Sequence, residues 1–193
     1  MGRPREFDRD RAVQQAMELF WRRGYEATSV QELGSAMGLN PGSLYNAFGD
    51  KHSLFLEALQ CYQNREYTAA CDNFRRWGTG RVAIERFFVF VVDYDLADTD
   101  RKGCLMVNSA AELADHDLDV KARVLASRTQ MATLFHTAIV QGQQVGEIAS
   151  LRSATELAEF LVNALFGLRI TVKVQHDREV LLAIVAATLR ALD

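Results

Sequence analysis

The sequence predicts an all-α protein, because helical periodicity runs along its whole length and almost nothing in it would interrupt a helix. Its 193 residues include only two prolines, Pro4 and Pro41, so residues 42–193 contain no proline to end a helix. Hydrophobic residues make up 49% of the chain, which is enough for a core and argues against disorder. We expect a small helical domain over residues 1–50 and a larger one over residues 51–193.

Capping signals mark the first two helices of the N-terminal part. Asp8 is a suitable N-cap for a first helix, and Gly24 is a suitable residue to end it. Ser29 and Glu32 have the spacing of a capping box, in which each side chain binds the other residue's backbone amide. The sequence therefore predicts a second helix that begins directly after Ser29.

A tight corner separates this second helix from a short third one. Gly38 can adopt the left-handed backbone angles that a turn between crossing helices requires. Gly34 leaves room for the second helix to approach the third, and Asn40 with Pro41 gives the third helix its start. This arrangement predicts a helix-turn-helix. Its apolar core would comprise Leu19, Phe20, Val30, Leu33, Met37, Leu39, Leu44 and Phe48.

The third helix would present a polar front, and an α-helix fits the major groove of DNA with its N-terminal residues nearest the bases. Asn46 can pair with an adenine, and the hydroxyls of Thr28, Ser29 and Tyr45 can donate to phosphates. Lys51, at the start of a fourth helix, can bind a phosphate together with free backbone amides. The candidate DNA-binding residues are Arg3, Arg5, Thr28, Ser29, Pro41, Gly42, Ser43, Tyr45, Asn46 and Lys51.

Charge limits the way in which such a domain can bind DNA. The whole chain has a net charge of −3, and residues 1–55 contain seven basic and seven acidic side chains. Binding must therefore depend on individually placed groups and not on a general basic field. Arg3 and Arg5 either form an arm that enters a minor groove or a disordered basic tail.

From residue 7 to residue 59 the chain resembles the DNA-binding domain of the TetR family, most specifically in GYEATSV, AMGLN and GSLYNAFGDKHSLF. The resemblance implies a homodimeric repressor that a small-molecule inducer releases from a palindromic double-stranded DNA operator. It also implies phosphate contacts from Thr28, Ser29, Tyr45 and Lys51, and base proximity for Pro41, Gly42, Ser43 and Asn46. Ala47 departs from the pattern, since a histidine or tyrosine ring often stands there, so that ring's phosphate contact is absent or supplied elsewhere.

The larger domain is predicted to contain six helices, over about 51–76, 80–96, 104–114, 118–142, 153–175 and 178–192. The last two are so apolar that more than one side of each must be covered. Pairing with their symmetry mates would form a four-helix dimer interface, and the alternative is two interior helices of a monomer. The interface candidates are Leu157, Leu161, Leu165, Leu168, Val180, Leu181 and Ile184.

A ligand pocket is expected between the fifth, sixth, seventh and eighth helices. Aromatic and sulfur-containing side chains with few polar groups suit an apolar or aromatic ligand, although such residues are often plain core. No motif identifies the ligand. The candidates are Phe87, Phe90, Tyr94, Cys104, Met106, Met131, Leu134, Phe135, Asn163 and Phe166.

Three cysteines and no secretory signal indicate reduced thiols and a cytoplasmic protein, and no apolar run is long enough to cross a membrane. Cys104 precedes a helix, so it is either a reactive thiol or a small buried apolar residue. The four histidines and three cysteines lack metal-ligand spacing, so neither a metal nor another cofactor is expected.

Two other functions compete with DNA-binding regulation. An enzyme is disfavoured because the sequence has no phosphate-binding glycine loop, zinc-protease motif or nucleophile elbow. The other is a helical dimer that binds a ligand or a protein and whose helix-turn-helix no longer binds DNA. The neutral charge of residues 1–55 leaves this second function open.

Overall fold

The structure, a computed structural model, describes residues 8–78 and 80–193 of the chain. Within these ranges it contains nine α-helices, one short 3-10 helix and no strand, so the all-α prediction is confirmed. The α-helices are α1 (Arg9–Arg23), α2 (Val30–Met37), α3 (Pro41–Phe48), α4 (Lys51–Trp77), α5 (Gly80–Ala97), α6 (Leu105–Leu113), α7 (Leu118–Gln144), α8 (Ala154–Thr171) and α9 (Arg178–Leu189). The 3-10 helix Arg190–Leu192 follows.

The helices of the N-terminal part begin where side chains satisfy otherwise unpaired backbone amides. Asp8 caps α1, and the hydroxyl of Ser29 accepts from the amide of Glu32 while the Glu32 carboxylate accepts from the amide of Ser29. Asn40 caps α3, and Pro41 occupies its first turn, where a missing N–H is harmless. These local rules give α1, α2 and α3 the starts that the sequence predicts.

Two glycines shape the corner between α2 and α3. Gly38 has a φ of 66°, in the left-handed region that favours glycine. The amide of Leu39 donates to the carbonyl of Gly34 at 2.8 Å. A Cβ atom on Gly34 would lie 2.6 Å from the carbonyl oxygen of Leu39, closer than atoms can pack. The close approach of the two helices therefore requires glycine at position 34.

The core consists of two clusters that α4 joins. The first cluster contains α1 to α3, the first half of α4, and α6 with the start of α7, while the second contains the end of α4 and α5, α7, α8 and α9. Leu54 and Phe55 of α4 are fully buried in the first cluster. The N-terminal core thus continues beyond residue 50, where the sequence places the end of the first domain.

The C-terminal helices follow the predicted ranges except at their ends. α8 ends at Thr171 and not near residue 175, because residues 172–174 form turns in which the Lys173 amide donates to the carbonyl of Ile170. Among the helices of the described residues, none combines the length and apolar character that a bilayer crossing requires.

Candidate functional site

The exposed front of α3 is polar and turned away from the core. Leu44 and Phe48 are buried against the first cluster, whereas Pro41, Gly42, Tyr45 and Asn46 are exposed. Tyr45 keeps 48% of its surface accessible although its ring is large and partly apolar. Ser43 is half-buried, and its amide donates to the cap residue Asn40 at 2.8 Å. The arrangement is that of a helix free to enter a groove.

Two of the three predicted phosphate-binding hydroxyls, those of Thr28 and Ser29, form hydrogen bonds within the chain. Thr28 is buried, and its hydroxyl donates to the carbonyl of Gly24 at 2.6 Å, which closes the turn between α1 and α2. A phosphate contact by this hydroxyl would break that bond, so the structure gives Thr28 a positioning role. Ser29 is exposed, but its hydroxyl is engaged with Glu32 in the capping box.

Lys51 remains available for an anion. Its ammonium lies 4.2 Å from the centre of the Tyr25 ring, and among the described residues no carboxylate pairs with it. By contrast, Arg9 pairs with Glu57, and Arg22 and Arg23 also pair with acidic residues. Arg3 and Arg5, the predicted arm, lie outside the described residues. Lys51 is thus a basic group of the helix-turn-helix region that has no acidic partner in the described part of the chain.

Two residues of α2 extend the exposed surface beyond the predicted set. Gln31 and Ser35 lie one turn apart on its solvent side, and they line a shallow groove with Pro41 and Tyr45 of α3. Helical periodicity could have predicted their exposure, because both positions lie off the buried face of α2 that contains Leu33.

Contacts from the larger domain hold the helix-turn-helix in place. The carboxylate of Glu112, near the end of α6, accepts from the amides of Tyr25 at 3.0 Å and Glu26 at 2.8 Å, in the turn between α1 and α2. The indole N–H of Trp21 donates to the carbonyl of Gly103, just before α6, at 3.0 Å. Residues at both ends of α6 therefore contact α1 and the turn that follows it.

A cavity of about 170 Å³ lies in the larger domain. It is lined by α4, α5, the start of α6, α7 and α8, it is partly open to solvent, and its walls are mostly aromatic and aliphatic. The α4 wall includes Tyr62, Gln63, Arg65, Glu66, Tyr67, Ala69 and Ala70, none of which the sequence identified. The sequence did not identify them because its pattern indicates α4 only as a helix that connects the two parts of the chain.

A buried charge network lines this cavity. The guanidinium of Arg169 donates to both carboxylate oxygens of Asp95, at 3.0 and 2.8 Å, and to Glu66 at 3.0 Å. Burial opposes the charge on Arg169, but neighbours that include Tyr62, Cys104 and the two carboxylates keep its pKa well above its usual value. Burial raises the pKa of Asp95, and Arg169 opposes that rise.

Family comparison identifies the class of protein. Residues 12–58 match the family of bacterial regulatory proteins called tetR, and residues 82–188 match the tetracyclin repressor-like C-terminal domain. The transcriptional repressor ComR of Escherichia coli is 31% identical over 194 residues, covering 98% of this chain and 90% of ComR. The uncharacterized regulator YezE of Bacillus subtilis is 31% identical over the full length of both chains.

The chain belongs to the TetR family. Among solved structures it is similar to the TetR family regulator CifR, in a cysteine-substituted form complexed with 26-bp operator DNA, with a TM-score of 0.87. The two are 36% identical, and the match covers all of both chains. NemR of Escherichia coli, in its reduced form, shares the fold with a TM-score of 0.87 at 18% identity. This TetR-family protein is a DNA-binding transcriptional regulator.

The TetR-family chain brings seven of the ten predicted pocket residues to the cavity wall, namely Phe87, Phe90, Tyr94, Cys104, Met106, Met131 and Phe166. Three lie elsewhere. Leu134 faces a different surface groove, Phe135 packs in the core against Phe87 and Phe88, and Asn163 is exposed on α8. Periodicity places residues on a helix face, but it does not tell which part of that face borders an empty space.

The interface residues predicted for α8 and α9 need a correction. Leu157, Leu161, Leu165, Leu168 and Leu181 are buried in the core of the single chain, because the most apolar arcs of α8 and α9 face α5 and α7. Only Val180 and Ile184 of the predicted set are exposed. The exposed apolar residues of these helices and of the turn between them also include Phe160, Ile170 and Val174.

One possible metal cluster exists in the described residues, although sequence spacing indicated none. His52, Asp117 and Asp119 offer ligand atoms within 4.8 Å of one another. Asp117 is already occupied, because it accepts from His52 at 2.8 Å and from the amides of Asp119 and Val120 at the start of α7. This arrangement is explained by helix capping and a contact between α4 and α7.

Proposed function

We propose that this regulator is a homodimeric repressor whose two copies of α3 bind a palindromic operator and that a small molecule in the cavity releases it. The observation that carries the proposal is the exposed polar front of α3, supported by a corner that only glycine at position 34 permits. In helix-turn-helix dimers, two recognition helices bind half-sites one helical turn of DNA apart.

Direct contacts with DNA are proposed for α3 and the start of α4. Asn46 suits a base edge, Tyr45 suits a phosphate oxygen, and the unmatched charge of Lys51 suits a second phosphate. Gly42 presents backbone without a side chain at the first turn of α3, which allows close approach to the duplex. Similarity to CifR, which is bound to operator DNA, supports this assignment.

Dimerisation is proposed through the apolar surface patch, defined as Phe160, Ile170, Val180 and Ile184. These four side chains are between 39% and 52% exposed in the single chain. Exposed apolar residues that cluster on two neighbouring helices typically mark an interaction surface. In a two-fold dimer the same patch would meet its own copy.

Release by a ligand is proposed to pass through α6. Cys104 and Met106, where α6 begins, line the cavity, and Glu112, near the end of α6, holds the turn between α1 and α2. A ligand that shifts α6 would therefore move the helix-turn-helix relative to the rest of the protomer. The curated relatives ComR, DhaR and BdcR are named repressors, which supports repression as the mode of action.

The DNA-binding proposal is tested by selecting operator fragments with the purified full chain and titrating variants at one salt concentration. Asn46→Ala should weaken operator binding by about 1–3 kcal/mol and relax the preference at one base position. Asn64→Ala is the matched control, since Asn64 is also an exposed asparagine but lies on α4 away from α3. Selection of no palindrome, or equal affinities for the two variants, would contradict the proposal.

The dimer proposal is tested by sedimentation of single-residue variants. Ile184→Glu should convert the dimer to monomers, because it places a charge in a desolvated interface. Leu151→Glu is the control, as Leu151 is fully exposed in the loop before α8 and is not part of the patch. A dimer that persists in Ile184→Glu at low protein concentration would rule out this surface.

A further inference from the structure

The walls of the cavity restrict the chemical class of the effector, and this inference rests on the proposed function that places the effector there. Size is the first restriction. The cavity measures about 170 Å³, and an apolar protein cavity of about 150 Å³ can hold a benzene molecule. Rings of Phe87, Phe90 and Phe166 form part of its wall. A single ring with a short substituent fits this space.

Charge is the second restriction. Arg169 is held by Asp95 and Glu66, and Arg65 is 3.6 Å from Glu66 and 3.3 Å from Glu18, so both basic groups in the wall already have acidic partners. A charged ligand would lose part of its hydration and find no free counter-ion in this wall. The cavity therefore favours an uncharged molecule.

An unpartnered hydroxyl supplies the third restriction. Tyr62 lines the cavity and is 1% exposed; its hydroxyl has no hydrogen-bond partner of good geometry among the described residues, and the weakly hydrogen-bonding thiol of Cys104 lies beside it. Burial raises the pKa of Tyr62 well above its usual value, so the hydroxyl keeps its proton and can act as a donor. Leaving a buried polar group without a hydrogen bond costs free energy. A ligand that accepts a hydrogen bond from this hydroxyl removes that cost, so the bond contributes more to affinity than a hydrogen bond formed in water.

We propose that the effector is a neutral molecule about as large as one substituted aromatic ring, with an oxygen that accepts a hydrogen bond from Tyr62. The same contact explains how occupancy reaches the DNA-binding part. The ring of Tyr62 packs edge-on against Trp21 of α1, with ring centres 4.9 Å apart. A ligand that moves Tyr62 to meet its oxygen therefore disturbs the helix that carries the helix-turn-helix.

The test is calorimetric titration of the full chain, without DNA, using three probes of similar size. Acetophenone is neutral and has a carbonyl oxygen, α-methylstyrene has the same shape with a CH₂ group in place of that oxygen, and benzoate is an anion. We expect acetophenone to bind more tightly than either of the other two. Tyr62→Phe removes only the hydroxyl, and it should weaken acetophenone binding about five- to tenfold while α-methylstyrene affinity changes less than about twofold.

The Tyr62→Phe variant should fold, because the ring remains and only an unsatisfied group is removed; thermal unfolding at or above the wild-type midpoint checks this. The proposal is overturned if acetophenone does not bind, if benzoate binds more tightly, or if Tyr62→Phe weakens both neutral probes equally. Each of these results concerns ligand chemistry and leaves operator binding untouched.

Failure of the proposed function has a different signature. A Tyr62-dependent complex with acetophenone that leaves operator affinity unchanged would contradict release by a ligand but support the assigned chemical class. Conversely, acetophenone could fail to bind while another compound dissociates the operator complex. That result would support ligand-controlled release from DNA and overturn the assigned effector class. The two readouts, calorimetry and operator titration, therefore separate the claims.

Discussion

The corner between α2 and α3 and the cavity beside α4 satisfy their polar groups in opposite ways. At the corner, polar groups find partners within a few residues of the chain, as Ser29 does with Glu32. At the cavity, Arg169 binds Asp95 and Glu66, which are 74 and 103 residues away in the sequence. The first region is organised by local rules, and the second depends on the assembled fold.

This difference has energetic consequences. Groups at the corner are exposed, so water can replace a lost partner and each side chain contributes modestly. Arg169 and Asp95 are buried beside the cavity, so loss of Arg169 leaves the carboxylate of Asp95 without a partner and largely shielded from water. Substitutions that break the Arg169–Asp95 ion pair should therefore cost more stability than those at the corner, whereas those on the exposed face of α3 should change DNA binding alone.

The largest effect is expected from Arg169→Met. This variant keeps the length of the side chain but leaves Asp95 and Glu66 without their shared partner, and breaking a buried pair in this way costs about 3–5 kcal/mol of unfolding free energy. Urea-induced unfolding measures the loss. Adding Asp95→Asn to the same variant should recover part of it, since the amide carries no charge.

Arg178→Met provides the matched control for this prediction. Arg178 pairs with Asp93 through two hydrogen bonds, but about half of each side chain is accessible to water. Its substitution should leave the unfolding curve almost unchanged. If Arg169→Met and Arg178→Met were equally mild, burial would not distinguish the two networks, and the contrast between corner and cavity would lose its basis.

A smaller effect is expected from Gly34→Ala at the corner. The new methyl group would meet the carbonyl oxygen of Leu39 at 2.6 Å, so the backbone must shift, at a cost of roughly 1–3 kcal/mol. The higher helix propensity of alanine relative to glycine offsets at most about 1 kcal/mol of this cost. Chemical unfolding should therefore show a net loss of stability, together with weaker operator binding.

Gly42→Ala separates stability from recognition at the same corner. A methyl group there would lie 3.4 Å from the side-chain oxygen of Asn40, an ordinary contact, so unfolding should not become easier. Operator affinity should nevertheless fall if the backbone of α3 approaches DNA at Gly42. Unchanged affinity would show that this turn stands away from the duplex, and a stability loss equal to that of Gly34→Ala would contradict the packing argument.

The same contrast explains what the sequence could and could not predict. Capping residues and glycines act over three or four positions, so Ser29, Gly38 and Asn40 mark the helices of the corner correctly. Arg169 gives no such local signal, since its partners come from α4 and α5. Helical period indicated that α8 and α9 are apolar on several sides, but it did not show which arc faces α5 and α7 and which faces solvent.

The smallest effect is expected where α4 meets α7, in the dependence of stability on pH. Burial alone would raise the pKa of Asp117, but hydrogen bonds from the Val120 amide and His52 outweigh it and lower the pKa. Because this pKa is lower in the folded chain, Asp117 stabilises the fold above its unfolded pKa of about 4. That contribution is lost as the pH falls through the folded value.

Asp117→Asn should therefore be less stable than the wild type near neutral pH, and the gap should narrow steadily as urea titrations are repeated below about pH 5. Asp115→Asn is the control, because Asp115 is exposed two residues earlier and has no side-chain hydrogen bond among the described residues. A gap for Asp117→Asn that stayed constant into acid would mean that its charge does not stabilise this contact. The Asp117 side chain would then stabilise the start of α7 by hydrogen bonding alone, independently of its charge, as the uncharged Ser29 side chain does at α2.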